Sequence, residues 1–273
     1  MSKIAIQGIE GSFHDQAARA YFDDPLSIIP CERFENVIDA VTSGRADGAL
    51  MAIENSIAGT ILSNYALIRD SGLHVTGEIM MRISHHLMAR ERIPLSDIRE
   101  IRSHPMALQQ CEEFLRQYPH ASRVETWDTA AAARDLRREE NRSVAVVAPQ
   151  QAAAAYGLAI LASGVESNKR NFTRFLVLRS SENDGEGTRA SICLKIVHRV
   201  GALAHVLEIM ARHHINLTKI QSTPILGQEW EYWMFLDLEF SGREAFARAM
   251  REIGPATESV RTLGIYPKGK TLS

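Results

Sequence analysis

The spacing of apolar positions divides this chain into two parts. Up to about residue 180, short apolar runs alternate with amphipathic stretches. Residues 4–7 predict a strand followed by a helix over 12–21, and residues 49–53 a second strand followed by a helix near 63–71. Residues 98–102 precede a helix over 106–117, and residues 143–148 precede one over Gln150–Tyr156 that Gly157 stops. An alanine-rich helix over 129–140 carries alternating charges on its outer face. Strands alternating with helices predict an α/β domain with mostly parallel sheets.

The run Ser180-Ser181-Glu182-Asn183-Asp184-Gly185-Glu186-Gly187-Thr188 holds no apolar residue and reads as a linker. Beyond it the pattern changes. Residues 190–197 predict a strand, then Leu203, Val206, Leu207 and Met210 fall at helical spacing. Residues 216–221 and 232–240 predict strands, and Tyr232, Met234, Leu236, Leu238 and Phe240 share one face at period two. Phe246, Ala249, Met250 and Ile253 mark a second helix, and residues 260–266 a last strand. The order β-α-β-β-α-β is that of a ferredoxin-like unit.

A length of 273 residues fits two domains. With 31 basic and 33 acidic residues the net charge is -2, so there is no basic excess to hold a nucleic-acid backbone. Cys31, Cys111 and Cys193 form neither a CxxC pair nor a disulfide framework and read as core residues of a cytoplasmic protein. The N-terminal run lacks a signal-peptide pattern, and no apolar stretch approaches membrane-spanning length.

Four apolar runs of the first part end in small polar residues ahead of an expected helix. They are Gly8-Ile9-Glu10-Gly11-Ser12-Phe13-His14-Asp15, Glu54-Asn55-Ser56-Ile57-Ala58-Gly59-Thr60, Ser103-His104-Pro105 and Asp128-Thr129. Ser12 and Ser103 are expected N-caps, with Pro105 in a first turn. Helix N-termini present unpaired N–H groups that favour anions. In open α/β sheets such ends converge on a crevice at the carboxyl edge of the strands. Each alone is an ordinary cap, but Glu54-Asn55-Ser56 gathers more hydrogen-bonding groups than a cap needs. The Gly8 loop lacks the GxGxxG spacing, so no nucleotide cofactor is expected. Adjacent His85 and His86 would face opposite ways in a strand. Without an HExxH or Cys/His cluster, no metal is expected.

The run Asn171-Phe172-Thr173-Arg174-Phe175-Leu176-Val177-Leu178 sets a hydroxyl and a guanidinium at the head of a buried strand. Together with the Gly8, Glu54 and Ser103-His104-Pro105-Met106-Ala107-Leu108 segments, it resembles the prephenate dehydratase family in order and spacing. Gly201-Ala202-Leu203-Ala204 and Asn216-Leu217-Thr218-Lys219-Ile220-Gln221-Ser222-Thr223-Pro224 resemble the two motifs of the ACT regulatory domain that follows in that family. The resemblance implies a two-lobed catalytic domain over 1–180, like type 2 periplasmic binding proteins. Lobe one would take about 1–76 and 165–180, and lobe two about 77–164. A linker over 181–189 and an ACT domain over 190–273 would follow. It also implies a homodimer or homotetramer built partly through ACT pairing. With no all-helical segment ahead of Met1, no fused mutase is expected.

The implied reaction removes carbon dioxide and the ring hydroxyl from prephenate. Aromatisation drives it, so no electron-sink cofactor is required. Thr173 matches the family's catalytic threonine and, with Arg174 and Phe175, forms the expected catalytic set. Ser12, Glu54, Asn55, Ser56, Gly59, Thr60, Ser103 and His104 are expected around the substrate, and Arg174 on a carboxylate. L-Phenylalanine is the implied effector, held by Gly201, Ala202, Leu203, Asn216, Leu217, Gln221 and Ser222. The second motif usually reads Glu-Ser-Arg-Pro, whereas here it is Gln221-Ser222-Thr223-Pro224. A carboxylate and a guanidinium are thus missing, which predicts weaker feedback. Arogenate dehydratase and a non-catalytic amino-acid-sensing binding protein are the alternatives.

Overall fold

The computed structural model of this chain describes residues 1–22, 25–183 and 187–272. Residues 184–186 of the expected linker lie outside the described residues. The chain opens with β1 (Ser2–Gln7), α1 (Phe13–Tyr21), β2 (Leu26–Cys31) and α2 (Phe34–Thr42). Then come β3 (Gly48–Asn55), β4 (Gly59–Thr60), α3 (Leu62–Ser71), β5 (His74–Arg82) and β6 (His86–Ala89). Next are β7 (Glu100–Ser103), α4 (Pro105–Gln110), α5 (Glu112–Leu115), β8 (Ser122–Glu125) and α6 (Thr129–Arg138). They lead to β9 (Val144–Ala148), α7 (Gln150–Tyr156), β10 (Ala159–Ala162) and β11 (Phe172–Arg179). The last part holds β12 (Arg189–Ile196), α8 (Ala202–Arg212), β13 (Asn216–Pro224) and β14 (Tyr232–Glu239). It ends with α9 (Arg243–Ile253), β15 (Thr257–Tyr266) and β16 (Lys270–Leu272). Among the described residues no helix is long and apolar enough to cross a membrane.

Two compact units are present. One comprises Met1–Thr60, Met80–Phe175 and Thr271–Ser273, and the other Ile61–Ile79 with Leu176–Lys270. In the first unit, β2, β1, β3 and β11 lie side by side, with β4 folded back on β3. A separate sheet runs β10-β6-β9-β7-β8. The run Val144–Ala148 is buried on both faces. Ala145 and Val147 pack with Leu108, Cys111 and Leu115 of the α4–α5 segment. Val144, Val146 and Ala148 pack with the alanines of α6 and α7. Period two thus sends alternate side chains into opposite helix layers.

The expectation of mostly parallel sheets needs correction. β1 is parallel to β2 and β3, and β7 to β8 and β9, but β6 is antiparallel to both β9 and β10. A parallel neighbour needs a crossover connection. β6 enters this sheet from β5, a strand of the other sheet, so no such crossover sets its direction. The helix expected over 106–117 is broken at Cys111 (φ −103°, ψ 11°), which ends α4 and caps α5.

In the second unit β12, α8, β13, β14, α9 and β15 follow the expected βαββαβ order, on an antiparallel sheet ordered β13-β14-β12-β15. One face packs Ile192, Leu194, Leu236 and Leu238 against Val206, Ile209 and Met210 of α8 and Phe246, Ala249 and Ile253 of α9. The buried stripe of α8 is therefore Ala202, Val206, Ile209 and Met210. Val206 and Met210 lie on it as expected, whereas Leu203 is 37% exposed and Leu207 only partly buried, their places taken by Ala202 and Ile209. The other face carries Ser191 and Asp237, both buried.

β15 meets the backbone of residue 75 at Gly264. A Cβ there would sit 2.0 Å from the Val75 carbonyl oxygen. Gly264→Ala is accordingly expected to destabilise the unit by on the order of 4 kcal/mol or more. Gly242→Ala, with open space around it, should melt within a few degrees of wild type. Equal melting temperatures for the two variants would contradict this close approach.

Candidate active site

The site is built from the end of β3 and the start of β11. Asn55 closes β3, and its Oδ1 accepts hydrogen bonds from the backbone N–H groups of Ile57 (3.0 Å) and Ala58 (2.9 Å). Those two donors fix the amide's orientation. Asn55 Nδ2 must then be the donating end, and it reaches Asn171 Oδ1 at 2.7 Å and Thr173 Oγ1 at 3.0 Å. The hydrogen bonds continue outward with the same direction. Asn171 Nδ2 donates to Gln110 Oε1 at 2.9 Å, and that oxygen also lies 3.0 Å from His85 Nε2. His85 therefore carries its proton on Nε2, while its buried Nδ1 has no hydrogen-bond partner. Burial lowers its pKa, which keeps the ring neutral.

Thr173 Oγ1 accepts from an amide, so its own proton is available to donate elsewhere. Gln110 likewise uses its carbonyl inward and keeps Nε2 as its donor end. It lines a cavity of about 470 Å³ with Ile57, Ala58, Met106, Gln109, Ser167 and Asn168. Gln110 is not among the residues expected from the sequence. Its signal was the pair Gln109-Gln110 ending an otherwise apolar helix start.

The Glu54–Thr60 segment is a hairpin, not a helix cap: Glu54 pairs with Thr60 and Asn55 with Gly59. Gly59 takes φ +85°, the left-handed conformation that closes such a turn. The helix behind it starts at Leu62 without a side-chain cap. Ser56 ties the hairpin to β11: its N–H donates to Phe172 O (2.8 Å) and its Oγ accepts from Phe172 N (2.9 Å).

Ser12, Gly8 and Asp128 form a second cluster. Ser12 caps α1 as expected, accepting from Asp15 N at 3.2 Å, and Asp15 in turn accepts from Gly11 N at 2.8 Å. Gly8, at φ +101°, lets the backbone pass so close that a Cβ would lie 3.0 Å from Asp128 Oδ2. Asp128 caps α6 through Ala131 N at 2.8 Å. Burial raises its carboxyl pKa, against the pull of the Ala131, Ala130 and Thr129 N–H groups. These two helix starts are thus met by the chain's own groups, the Ser12 hydroxyl at α1 and the Asp128 carboxylate at α6, which narrows the anion-receptor reading. Helix α1 joins the clusters. Phe13 lies edge-on to His85 (5.2 Å) and His14 edge-on to Phe175 (5.0 Å). His14 accepts from Ala52 N at 3.3 Å, and burial lowers its pKa to about 3, so it is a neutral packing residue.

Ser103 was expected to cap α4 and does not. Its hydroxyl donates to Val147 O at 2.5 Å inside the fold, and His104 is the cap, with Nδ1 accepting from Met106 N at 3.2 Å. The serine's preceding strand position turns it into the core. On β11, Thr173 and Phe175 share one face and Arg174 lies on the other. All three are buried.

In the second unit a cavity of about 180 Å³ opens at the start of α8, where Gly201 takes φ +81°. Ala202, Leu203, Arg199, Trp230, Tyr232 and Met234 line it, as do Glu231 and Glu258. Asn216, Leu217, Gln221 and Ser222 lie along the edge strand β13 and are not among its lining residues.

An amide-held hydroxyl on a strand end of mixed sheets, linked through Asn55 and Asn171 to the Gln110 that lines a cavity, defines the site of an α/β enzyme. The chain belongs to the prephenate dehydratase family, whose model matches residues 4–183. The bifunctional chorismate mutase/prephenate dehydratase of Escherichia coli K12 is 33% identical over 97% of this chain and 71% of its own length. A solved prephenate dehydratase from Arthrobacter aurescens in complex with L-Phe superposes with a TM-score of 0.85 at 26% identity, covering 97% of this chain and 90% of that one. GqqA, described as a novel type of quorum quenching acylase, superposes at 0.86 with 31% identity, covering 97% and 98%.

Proposed function

We propose that the Asn55–Thr173 cluster carries out the decarboxylating dehydration of prephenate to phenylpyruvate. The observation that carries this reading is the direction of the hydrogen bonds, which leaves the Thr173 proton pointing away from Asn55. The carboxylate's bonding pair moves into the ring as carbon dioxide leaves, and the ring hydroxyl departs with the electrons. A hydrogen bond from Thr173 Oγ1 stabilises charge developing on that oxygen, which ends as water with a proton drawn from solvent, so that the threonine ends the step as a neutral hydroxyl. An alcohol is a weak acid near neutral pH, so the hydroxyl acts as leaving-group donor or relay, in a site whose fixed dipoles need no reorganisation. Gln110 Nε2 supplies a second donor at the cavity wall. The acyl chemistry named for GqqA would need a nucleophile beside a base, whereas Thr173 is held by an amide.

Asn55, Gln110 and Thr173 are the residues assigned to the chemistry. Glu54, Ser56, Gly59 and Thr60 shape the hairpin that holds them, and Ser12, Ser103 and His104 belong to the surrounding strand ends. Arg174, on the opposite face from Thr173, is assigned to holding β11, and Phe175 to packing on His14. Arg174→Lys loses the planar guanidinium fork. It is expected to lower the melting temperature while KM stays within about threefold. A tenfold rise in KM at unchanged stability would return Arg174 to the substrate.

For the whole chain the reading is a two-lobed catalytic domain over 1–180 and an ACT domain over 190–273, working as a homo-oligomer. L-Phenylalanine is assigned to the cavity at α8. The helix start and Arg199 suit its carboxylate, Glu231 and Glu258 its ammonium, and Leu203, Trp230 and Met234 its ring. Initial rates on prephenate and on arogenate test the substrate assignment. A preference of tenfold or more for prephenate is expected, and faster turnover of arogenate would reassign the enzyme to that substrate.

A further inference from the structure

Helix α3 follows the Asn55–Thr60 hairpin with a single residue between. It is nonetheless part of the second compact unit. It is held there by a buried polar network. Tyr65 OH donates to Asp237 Oδ2 at 2.8 Å. Ser191 Oγ donates to Asp237 Oδ1 at 2.5 Å and lies 2.6 Å from Tyr266 OH. None of these four residues is more than 2% exposed. The Tyr65 ring also packs on Phe235 at 5.3 Å. Apolar side chains of similar shape could fill this space without having to satisfy a carboxylate, and a buried carboxylate is costly unless every acceptor is met. The network is therefore specific in geometry. It ties α3 to β14 and β12, with Tyr266 of β15 completing the network.

Those strands, β12 and β14, also form the α8 cavity. Ile196 of β12 and Met234 of β14 line it. Asp237 lies three residues beyond Met234 on β14, about 10 Å along the strand. From Asp237 the contacts run to Tyr65, then along the covalent chain through the hairpin to Asn55, and from Asn55 to Thr173 Oγ1. We infer that the Tyr65–Asp237 hydrogen bond transmits occupancy of the α8 cavity to the hairpin that positions Thr173. Effector binding that shifts β14 relative to β12 moves Asp237, and Tyr65 carries the movement into α3. The inference rests on the reading of the α8 cavity as the L-phenylalanine site. Coupling of this kind is a free energy shared by two sites, and it can be lost without loss of either site.

Tyr65→Phe removes the hydroxyl and keeps the ring on Phe235. L-Phenylalanine binding, measured by calorimetry, and inhibition of prephenate turnover are compared in wild type and this variant. Uninhibited kcat and KM are expected to stay within about twofold of wild type and the binding constant within about threefold. The concentration for half inhibition should rise roughly tenfold or more, as expected for a lost coupling. Ser191→Ala, which leaves the Tyr65 contact in place, is the control and should give a smaller shift. Where Tyr65→Phe fails to fold, Asp237→Asn, which weakens the acceptor of the same bond, replaces it. If the variant altered at the Tyr65–Asp237 bond folds, binds L-phenylalanine and is inhibited with the wild-type curve, the inference is overturned. If wild type itself binds no L-phenylalanine, the effector reading fails and this inference goes with it.

Discussion

Thr173→Ala is expected to lower kcat by on the order of 10²–10⁴-fold with little change in KM, as loss of a contact made mainly in the transition state should. The hydroxyl is held by Asn55 Nδ2 at 3.0 Å, on a residue that is buried. Thr173→Ser retains the oxygen and should keep most of the activity. Stability should change little in either variant, because Asn55 Nδ2 keeps its Asn171 partner. Steady-state rates at saturating prephenate check this directly. A serine variant as inactive as the alanine variant would show that the methyl, not the hydroxyl, is what the site needs.

The second large effect is expected at Asn55. Asn55→Ala removes the donor to Thr173 and Asn171 and also the acceptor for the Ile57 and Ala58 N–H groups. Each buried group left unpaired costs about 1–3 kcal/mol, so both stability and kcat should fall. Asn55→Asp separates the two contributions. The carboxylate still accepts from Ile57 and Ala58, and charge-assisted bonds of that kind are strong. It cannot donate to Thr173. Its melting temperature should therefore exceed that of Asn55→Ala, while its kcat should remain at least about a hundredfold below wild type. Recovery of activity along with stability would mean that Asn55 serves only the hairpin.

Much of this architecture was legible because local pattern and burial agree. The run Val144–Ala148 has no polar residue and is buried on both faces, and Gln150–Tyr156 is bounded by Pro149 and by Gly157 in the left-handed conformation. Helix α9 shows its buried Phe246, Ala249 and Ile253 at helical spacing. Other elements left little trace. All of β8 is exposed, so no apolar period marks it, and β2 carries Pro30 at its end. In α8, Leu203 is more apolar than Ala202, yet both line the cavity and it is the alanine that is buried, a difference that only packing decides.

The site was legible in part. Ser12 and Asp128 follow the chemistry of N-caps, and both act as caps. Asn55 and Thr173 stood out as polar groups at the ends of apolar runs, and they meet across 118 positions of sequence. Gln110 depends on a contact with Asn171 that only the folded chain supplies. The two faces of β11 split Thr173 from Arg174, although adjacency suggested a shared role. Ser103 and His104 exchanged the expected cap because a strand residue points inward before the helix begins.

The central claim is that Thr173, oriented by Asn55, turns prephenate into phenylpyruvate. The most direct test incubates purified wild type and Thr173→Ala with prephenate near neutral pH and follows phenylpyruvate absorbance and carbon dioxide together. The account predicts equal amounts of both products from wild type, at a rate at least about a hundredfold above that of the variant. Equal rates for the two proteins, or no phenylpyruvate above the spontaneous reaction, would contradict it.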